Sequence, residues 1–246
     1  MKSSEVFDET ITVVIYSELT SAEKGRLMTE AKAPSRLDQR KARTRAALIG
    51  AAQSLLAESR TSVSIQEITD AADVGFGSFY NHFESKEALF EAAIQDTLEV
   101  YGEFLDAFVA KIEDPAEVFT ASFRLSGRLQ RLMPEHVRIM LNAGMHVLTD
   151  NPDRGLAPRA RHDLLAAHDA GRMDVPNVDL ALMAVGGALL GLLQYLESNP
   201  SLDDAEVTDE FTRRILSMLG VSRDDAEDLI GRPLPEAELV TEVHAL

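Results

Sequence analysis

A short segment at residues 64–83 constrains the fold of this chain more than any other part of the sequence. Glu67 follows Ser64 by three residues, which is the pattern of a capping box, and Val63 and Ile68 have the spacing of a hydrophobic staple. The pattern predicts that a short helix begins after Ser64. Its buried face is then formed by Ile65, Ile68 and Ala72.

A second short helix is predicted over 75–82, after a turn at Asp73 and Val74. Phe79 and Phe83 are four residues apart and fall on one face, which we expect to be buried. The remaining side chains are left for a partner: Gly75, Phe76, Gly77, Ser78, Tyr80, Asn81 and His82. Two short helices joined by a tight turn, with a longer helix on each side, form a helix-turn-helix, a motif that places its second helix in the major groove of DNA.

The chemistry of the second helix agrees with a DNA contact. Ser78 and Asn81 can donate to and accept from base edges. Tyr80, His82 and Lys86 can donate to phosphate oxygens. The two glycines allow a close approach of the backbone.

The charge distribution permits such a contact although the whole chain is acidic. The net charge is −17, and most of the excess acid lies after residue 90. A basic cluster stands before the helix-turn-helix, with Asp38 as its single acidic member: Arg36, Arg40, Lys41, Arg43 and Arg45. Such a run is either a solvated helix face or a nucleic-acid contact.

The rest of the chain is predicted to be helical as well. Pro115 and Pro134 stand where two helices should begin, since proline is tolerated in the first turn, and Gly171 stops a third. The longest apolar run, Leu180 to Leu193, is too short for a membrane span and predicts a helix buried on all sides. The other helices are predicted over 37–58, 85–111, 157–170, 178–197, 203–219 and about 225–230.

At these residues the chain resembles the DNA-binding domain of the TetR family over about residues 41–101. The matching positions are Thr44-Arg45, Ile49, Ala51-Ala52, Leu55-Leu56, Ile68, Ala72, Val74, Gly77, Tyr80-Asn81-His82-Phe83, Ser85-Lys86-Glu87 and Leu89. The resemblance implies a three-helix head on a larger helical body, with Thr44, Ser64, Tyr80, His82 and Lys86 on phosphates. It implies that bases are read by the face of the second short helix, from Val74 to Asn81. The basic run would then be an arm along the DNA backbone or minor groove.

Three positions depart from the family pattern. Asp73 stands where the family usually has Gly, and Asp tolerates the left-handed conformation better than most residues. Gly75 replaces a Ser, and Phe76 replaces a basic or polar residue, which removes a phosphate or base contact. An exposed Phe76 could touch a thymine methyl group instead.

The resemblance also implies a ligand pocket and a dimer interface in the body. Candidate pocket residues are Tyr101, Phe104, Phe108, Phe119, Phe123, Met140, Met145 and Met183, although aromatic and Met stripes of this kind are more often plain core than pocket. The last two long helices would form a four-helix bundle with a second copy through Leu182, Gly186, Leu189, Leu193, Phe211, Ile215 and Leu219. A homodimer of this kind reads a palindromic operator.

The sequence divides into four predicted parts. Residues 1–34 are either a poorly ordered arm or an over-extended reading frame that truly starts at Met28. The DNA-binding domain covers 35–84, the effector-binding and dimerisation domain 85–220, and a short helix with a polar tail 221–246.

Together these patterns predict an all-α, cytoplasmic, homodimeric regulator that binds an operator in double-stranded DNA and is released from it by a small-molecule effector. An architectural DNA-binding protein without an effector and a helical enzyme are the alternatives. An enzyme would need a convergent set of titratable groups, and no nucleophile elbow, phosphate loop or dinucleotide motif occurs in the sequence. No cofactor, metal site or membrane contact is predicted.

Overall fold

The computed structural model of the chain describes residues 35–128, 130–131, 133–145 and 154–235. All regular secondary structure in these ranges is helical, which confirms the predicted all-α fold. The predicted extension at 1–34, including the alternative start at Met28, and the tail from residue 236 lie outside the described residues. The helices are α1 (Arg36–Ala57), α2 (Ile65–Ala71), α3 (Phe76–Phe79), α4 (Lys86–Val109), α5 (Pro115–Arg128), α6 (Pro134–Ala143), α7 (Leu156–Asp169), α8 (Val178–Ser198), α9 (Asp204–Met218) and α10 (Arg223–Gly231).

The first of two compact units ends at Thr97 and contains α1, α2, α3 and the first part of α4. Its core is apolar and comes from all four helices: Leu48, Ala52, Leu55 and Leu56 of α1, Ile68 of α2, Phe79 of α3, and Leu89 and Ala93 of α4. The Gln53 side-chain amide donates to the Thr97 hydroxyl at 3.2 Å, which ties α1 to α4. The start of α4 therefore belongs to this unit, whereas the sequence placed the boundary at 84/85.

Helix α2 begins as its capping pattern predicts. The Glu67 N–H donates to the Ser64 hydroxyl oxygen at 3.2 Å, and the Ser64 N–H donates to the Glu67 carboxylate at 2.8 Å. These two bonds satisfy backbone donors that have no partner within the helix. The backbone hydrogen bond from Ser64 also lowers the pKa of Glu67, because it favours the charged carboxylate.

Helix α2 ends in a left-handed turn at Asp73, which has φ +52°. The Asp73 N–H donates to the Asp70 carbonyl at 3.2 Å and the Val74 N–H to the Thr69 carbonyl at 3.0 Å. This pair of bonds is a Schellman motif, which usually has Gly at the left-handed position. The expectation that Asp keeps the turn here is confirmed.

The second unit begins at Leu98 and contains the rest of α4 and helices α5 to α10. Its core includes Phe119 and Phe123 of α5, Leu164 of α7 and Leu216 of α9. Pro115 and Pro134 are the first residues of α5 and α6, and Gly171, with φ +68°, follows the end of α7, as predicted.

Helix α8 is buried along one face only. Leu182, Val185, Leu193 and Leu196 are at most 6 % exposed, whereas Leu180 is 68 % exposed. The prediction of a helix buried on all sides is therefore wrong for the single chain. By length and composition alone, α8 is the one helix among the described residues that could cross a membrane.

Candidate nucleic-acid interface and ligand cavity

The recognition helix α3 buries one side and exposes the other. Phe79 and Phe83 are 0 % and 7 % exposed, so the predicted buried face is confirmed. The regular helix is shorter than the predicted 75–82, because residues 80–82 continue it only as turns. The predicted DNA-facing residues lie on the opposite side: Gly75, Phe76, Gly77, Tyr80 and Asn81 are exposed, and Val74, Ser78 and His82 are half-buried.

Packing among the residues that the structure describes does not require the glycines on either side of Phe76. A Cβ atom at Gly77 would have no neighbour within 4 Å, and one at Gly75 would meet only the Ser78 hydroxyl oxygen at 3.8 Å. Bare backbone on an exposed recognition helix allows an outside molecule to approach closely.

A row of aromatic rings runs from the core of the first unit to the surface of α3. The buried Phe79 ring meets Tyr80 edge to face with centroids 5.4 Å apart, and Tyr80 meets Phe76 in the same way at 5.9 Å. Phe76 is 47 % exposed and Tyr80 57 % exposed. The outermost ring is therefore held by its neighbours although much of its surface is open.

Lys86 has a structural contact that sequence reasoning missed. Its ammonium donates to the carbonyls of Val63 at 3.2 Å and Thr61 at 3.4 Å, in the loop before α2. An ammonium has three donors, so one remains for an outside acceptor such as a phosphate. Lys86 thus fixes the start of α2 relative to α4.

The predicted basic arm lies in the first part of α1. The hydroxyl of Ser35 and the carboxylate of Asp38 form a capping box that starts the helix at Arg36. Arg36, Arg40, Lys41, Arg43 and Arg45 are exposed on this helix, and Thr44 is half-buried among them. The Arg45 guanidinium lies over the Phe83 ring, 5.2 Å from its centroid, which is a cation–π distance. The predicted helix over 37–58 is confirmed with its start at Arg36, and the contact of its basic residues with DNA remains a prediction.

A cavity of about 90 Å³ lies in the second unit, among residues of α4 to α8. Of the predicted pocket residues, Phe119, Phe123 and Met140 line it. Tyr101 is buried and donates its hydroxyl to the Ser126 carbonyl at 3.2 Å, while Phe104 and Phe108 pair with each other at 4.5 Å. Met145 and Met183 are each 40 % exposed. The other lining residues are Leu105, Asp106, Ser122, Ser126, Leu156, Arg159, Ala160, Asp163, Leu182, Val185, Gly186, Leu189 and Leu190.

Arg159, in the cavity wall, is fixed by two carboxylates of α4. Its guanidinium donates to Glu99 Oε1 at 3.1 Å and to Asp106 Oδ2 at 2.7 Å. Burial acts to raise the pKa of Glu99, but the hydrogen bonds from Arg159 and from the Gly155 N–H outweigh it and the pKa falls. The charges in this cluster are thus mutually satisfied.

Asp163 also lines the cavity, and its environment is different. Burial raises the pKa of Asp163 to about 6, and the neighbouring Asp106 adds to the increase while His162 opposes it. A carboxyl group in this state can either donate or accept a hydrogen bond near neutral pH. Sequence reasoning missed Asp106, Arg159 and Asp163, because nothing local marks a charged residue that faces a cavity.

Five of the seven predicted interface residues are buried within the single chain, and Leu189 and Phe211 are half-buried. Leu193, Ile215 and Leu219 are at most 5 % exposed, and Leu182, Gly186 and Leu189 line the cavity. Phe211 packs against the core and stacks on Phe123 with centroids 6.4 Å apart. The exposed face of α8 is a different one and carries Leu180, Met183, Ala184, Gly191, Gln194 and Tyr195. An all-apolar helix does not reveal from sequence which face turns to its own core.

The two short helices, the left-handed turn between them and the exposed polar and aromatic face of α3 define a helix-turn-helix DNA-binding protein. A family model described as bacterial regulatory proteins, tetR family, matches residues 48–93, and one described as tetracyclin repressor-like, C-terminal domain, matches residues 114–232. The chain belongs to the TetR family of regulators.

Solved structures agree with this assignment. RolR in complex with resorcinol is 37 % identical over 80 % of this chain and 98 % of its own, with a TM-score of 0.62. RolR without ligand is 36 % identical over 78 % of this chain and 98 % of its own, with a TM-score of 0.63. AibR with isovaleryl coenzyme A and operator DNA shares the fold at 21 % identity, over 71 % and 98 % of the two chains, with a TM-score of 0.52. A search of curated protein sequences returned no match.

Proposed function

We propose that this chain is a homodimeric, cytoplasmic repressor without enzymatic activity, which holds a palindromic operator and releases it when a small molecule occupies the cavity. The observation that carries the proposal is that one helix supplies both sites. Helix α4 begins with Lys86 beside α2 and contributes Leu105 and Asp106 to the cavity wall. A ligand that binds one position of this helix better than another shifts the population of the two states.

The DNA contact is proposed to involve the exposed face of α3 and the first turns of α1. Tyr80 and His82 are placed to donate to phosphates, and Ser78 and Asn81 to reach base edges. Thr44, Ser64 and Lys86 contribute phosphate contacts. Ser64 can hold both roles only if its hydroxyl oxygen keeps accepting from the Glu67 N–H while its O–H, which donates to the Glu67 carboxylate at 2.8 Å, turns to donate to a phosphate.

The effector is proposed to be a small aromatic molecule with hydroxyl groups. The walls from Phe119, Phe123 and Leu182 suit an apolar ring, and Ser122 and Asp163 can hydrogen-bond with hydroxyl groups. The cavity has roughly six times the room that one water needs. RolR, the ligand-bound relative, was solved with resorcinol, a compound of this class.

The dimer is proposed to form through the exposed face of α8. Leu180, Met183, Gly187, Gly191 and Tyr195 recur at helical spacing, and a Cβ at Gly191 would meet nothing within 4 Å. Large apolar side chains beside small residues allow a second helix to approach closely. A second copy of α8 is the proposed occupant, because the same mixture of large apolar and small residues on both copies would allow the two faces to pack against each other in a two-fold arrangement.

The experiment is footprinting and fluorescence anisotropy on the DNA upstream of the coding region, titrated against salt and then against resorcinol. We expect protection of a palindrome, a steep loss of affinity as salt rises, and release of the DNA by resorcinol. Tyr80→Ala is the control that should weaken binding to every sequence. Binding without a footprint would contradict the operator, and a footprint that resorcinol does not affect would contradict the proposed effector alone.

A further inference from the structure

The recognition helix lacks the side chains that most often read guanine. The ten residues from Val74 to Phe83 contain no Asp, Glu, Lys or Arg. Arginine and lysine bonded to guanine O6 and N7 form the commonest specific contact in the major groove. A head of this composition must discriminate bases by other means.

The most prominent group on this helix is apolar. Phe76 is 47 % exposed, and the glycines on both sides of it carry no side chain that would shield the ring. Its ring packs edge to face against the Tyr80 ring, with centroids 5.9 Å apart. The Tyr80 ring packs in the same way against the fully buried Phe79 ring, with centroids 5.4 Å apart. A ring held in this way loses little conformational freedom when it binds.

In the major groove the thymine 5-methyl group is the apolar feature that distinguishes one base pair from another. We propose that Phe76 is a specificity-determining residue that packs against a thymine methyl group in each half-site of the operator. This inference rests on the proposed function, since it requires operator binding. If Phe76 reads thymine, the base pairs that face α3 are expected to be rich in A·T, and the Asn81 amide can hydrogen-bond with an adenine among them.

The test is a double-mutant cycle in which one partner is the Phe76 side chain and the other is the methyl group of one thymine. The operator is first recovered by selecting duplexes from random DNA with the native protein. Each thymine of the half-site is then replaced in turn by deoxyuridine, which differs from it only by the missing methyl group. Affinities are measured by anisotropy at one salt concentration for the native protein, Phe76→Ala and Phe76→Leu.

We expect one or two thymines at which the loss of the methyl group weakens native binding about three- to ten-fold, the range for burial of one methyl group per half-site. Phe76→Ala should bind the thymine and deoxyuridine operators equally at those positions, and Phe76→Leu should keep part of the difference. Thermal melts establish that both variants are folded, and their affinity for random DNA is the reference against which the change at the operator is compared.

Two results would overturn the inference, and they are distinguishable. If Phe76→Ala remains as sensitive to the lost methyl groups as the native protein, Phe76 does not read thymine although operator binding stands. If the native protein selects no sequence from random DNA at all, the proposed operator function fails, and this inference with it.

Discussion

The Arg159 guanidinium lies directly over the backbone of Gly102, so that a methyl group added at Gly102 would be 2.7 Å from Nη1. Helix α4 thus has a gap through which Arg159 reaches both Glu99 and Asp106, which lie three residues before and four residues after Gly102. The absence of a side chain at Gly102 therefore permits the charge cluster at the cavity wall.

The first prediction concerns Gly102→Ala. The new methyl group should displace the guanidinium and break at least one of its hydrogen bonds, because both cannot occupy the same space. We expect operator affinity in the absence of effector to stay within about two-fold, and the effector concentration needed for release to rise about ten-fold, the effect of roughly 1.4 kcal/mol. Anisotropy on the operator with titrated effector measures both quantities.

The matched control for Gly102→Ala is Gly50→Ala in α1, where an added Cβ would have no neighbour within 4 Å. It should leave the effector response unchanged and raise stability by up to about 1 kcal/mol through helix propensity. The Arg159→Ala variant lacks the guanidinium that the new methyl group would meet. Adding Gly102→Ala to it should therefore have no further effect on the effector concentration needed for release. A further loss in the double variant would contradict the clash as the cause.

The second prediction concerns the contact between α5 and α9 at Gly127 and Thr208. A Cβ at Gly127 would be 2.1 Å from the Thr208 hydroxyl oxygen, and both residues are buried. We expect Gly127→Ala to lower the free energy of unfolding by about 1–3 kcal/mol, the usual cost of overpacking. Chemical denaturation monitored by circular dichroism gives the value.

Thr208→Ala provides the rescue for Gly127→Ala. The Thr208 hydroxyl oxygen is buried and accepts no hydrogen bond, so its removal leaves no donor without a partner. The double variant should recover part of the loss, but only part, because the Thr208 Cβ itself would be 2.9 Å from the new methyl group. If the loss of stability in the double variant equals the sum of the losses in the two single variants, the two positions are not in contact.

The third prediction concerns Asp163 and pH. Burial raises the pKa of Asp163 from 3.8 to about 6, so the folded protein holds this proton over a pH range in which the unfolded chain has lost it. The stability that Asp163 contributes therefore falls as pH rises from about 4 to about 6, and the loss is complete above that range.

Asp163→Asn removes this ionisation while it keeps the size of the side chain. Relative to the native protein, the variant should gain stability between pH 4 and pH 8, by at most about 3 kcal/mol for a shift of this size. Other titrating groups are common to both proteins and cancel in the difference between their unfolding free energies. A difference that is the same at pH 4 and pH 8 would mean that Asp163 is not kept from ionising by its surroundings.

The fourth prediction concerns the turn at Asp73, which has φ +52°. Glycine adopts this conformation without strain, so Asp73→Gly should raise stability by up to about 1 kcal/mol and leave operator affinity unchanged. Asp73→Val should lower stability by about 1–2 kcal/mol, because a β-branched residue is a true outlier in this region. Thermal melts of the two variants distinguish this turn from an ordinary loop, in which neither change would matter.

The sequence predicted well the features that depend on neighbouring residues. The capping box of Ser64 and Glu67, the buried pair Phe79 and Phe83, and the proline starts of α5 and α6 are all set by contacts within a few positions of the chain. The helix-turn-helix followed from them. The left-handed turn at Asp73 was also predictable from local sequence. Asp tolerates the left-handed conformation better than most residues, and it stands directly after the predicted end of α2.

Features that depend on distant residues were not predictable from local patterns. The cluster of Glu99 and Arg159 joins positions sixty residues apart, and no periodicity within either helix indicates the other. The orientation of α8 was unpredictable for a different reason. Helix α8 is apolar on nearly every side, so hydrophobic periodicity could not show that Leu182 and Leu193 face their own core while Leu180 and Tyr195 remain exposed.

The fifth prediction concerns the exposed face of α8. A side chain at Gly191 has open space in the single chain, so Gly191→Glu should fold normally as a monomer and lose only about 1 kcal/mol or less from any one surface effect. If two copies pack through this face, the same change places two charges in a desolvated contact and separates the copies. Sedimentation velocity should then show the native protein as a dimer and the variant as a monomer at micromolar concentration.

Leu165→Glu is the matched control for Gly191→Glu, because Leu165 is an apolar residue of α7 that is 39 % exposed. It introduces the same charge in the same unit away from α8 and should leave the dimer intact. The monomeric Gly191→Glu variant should also lose most of its affinity for the full palindrome while it keeps weak binding to a half-site, because two heads that bind together gain from effective concentration. A Gly191→Glu protein that remains dimeric would locate the interface on another face of the chain.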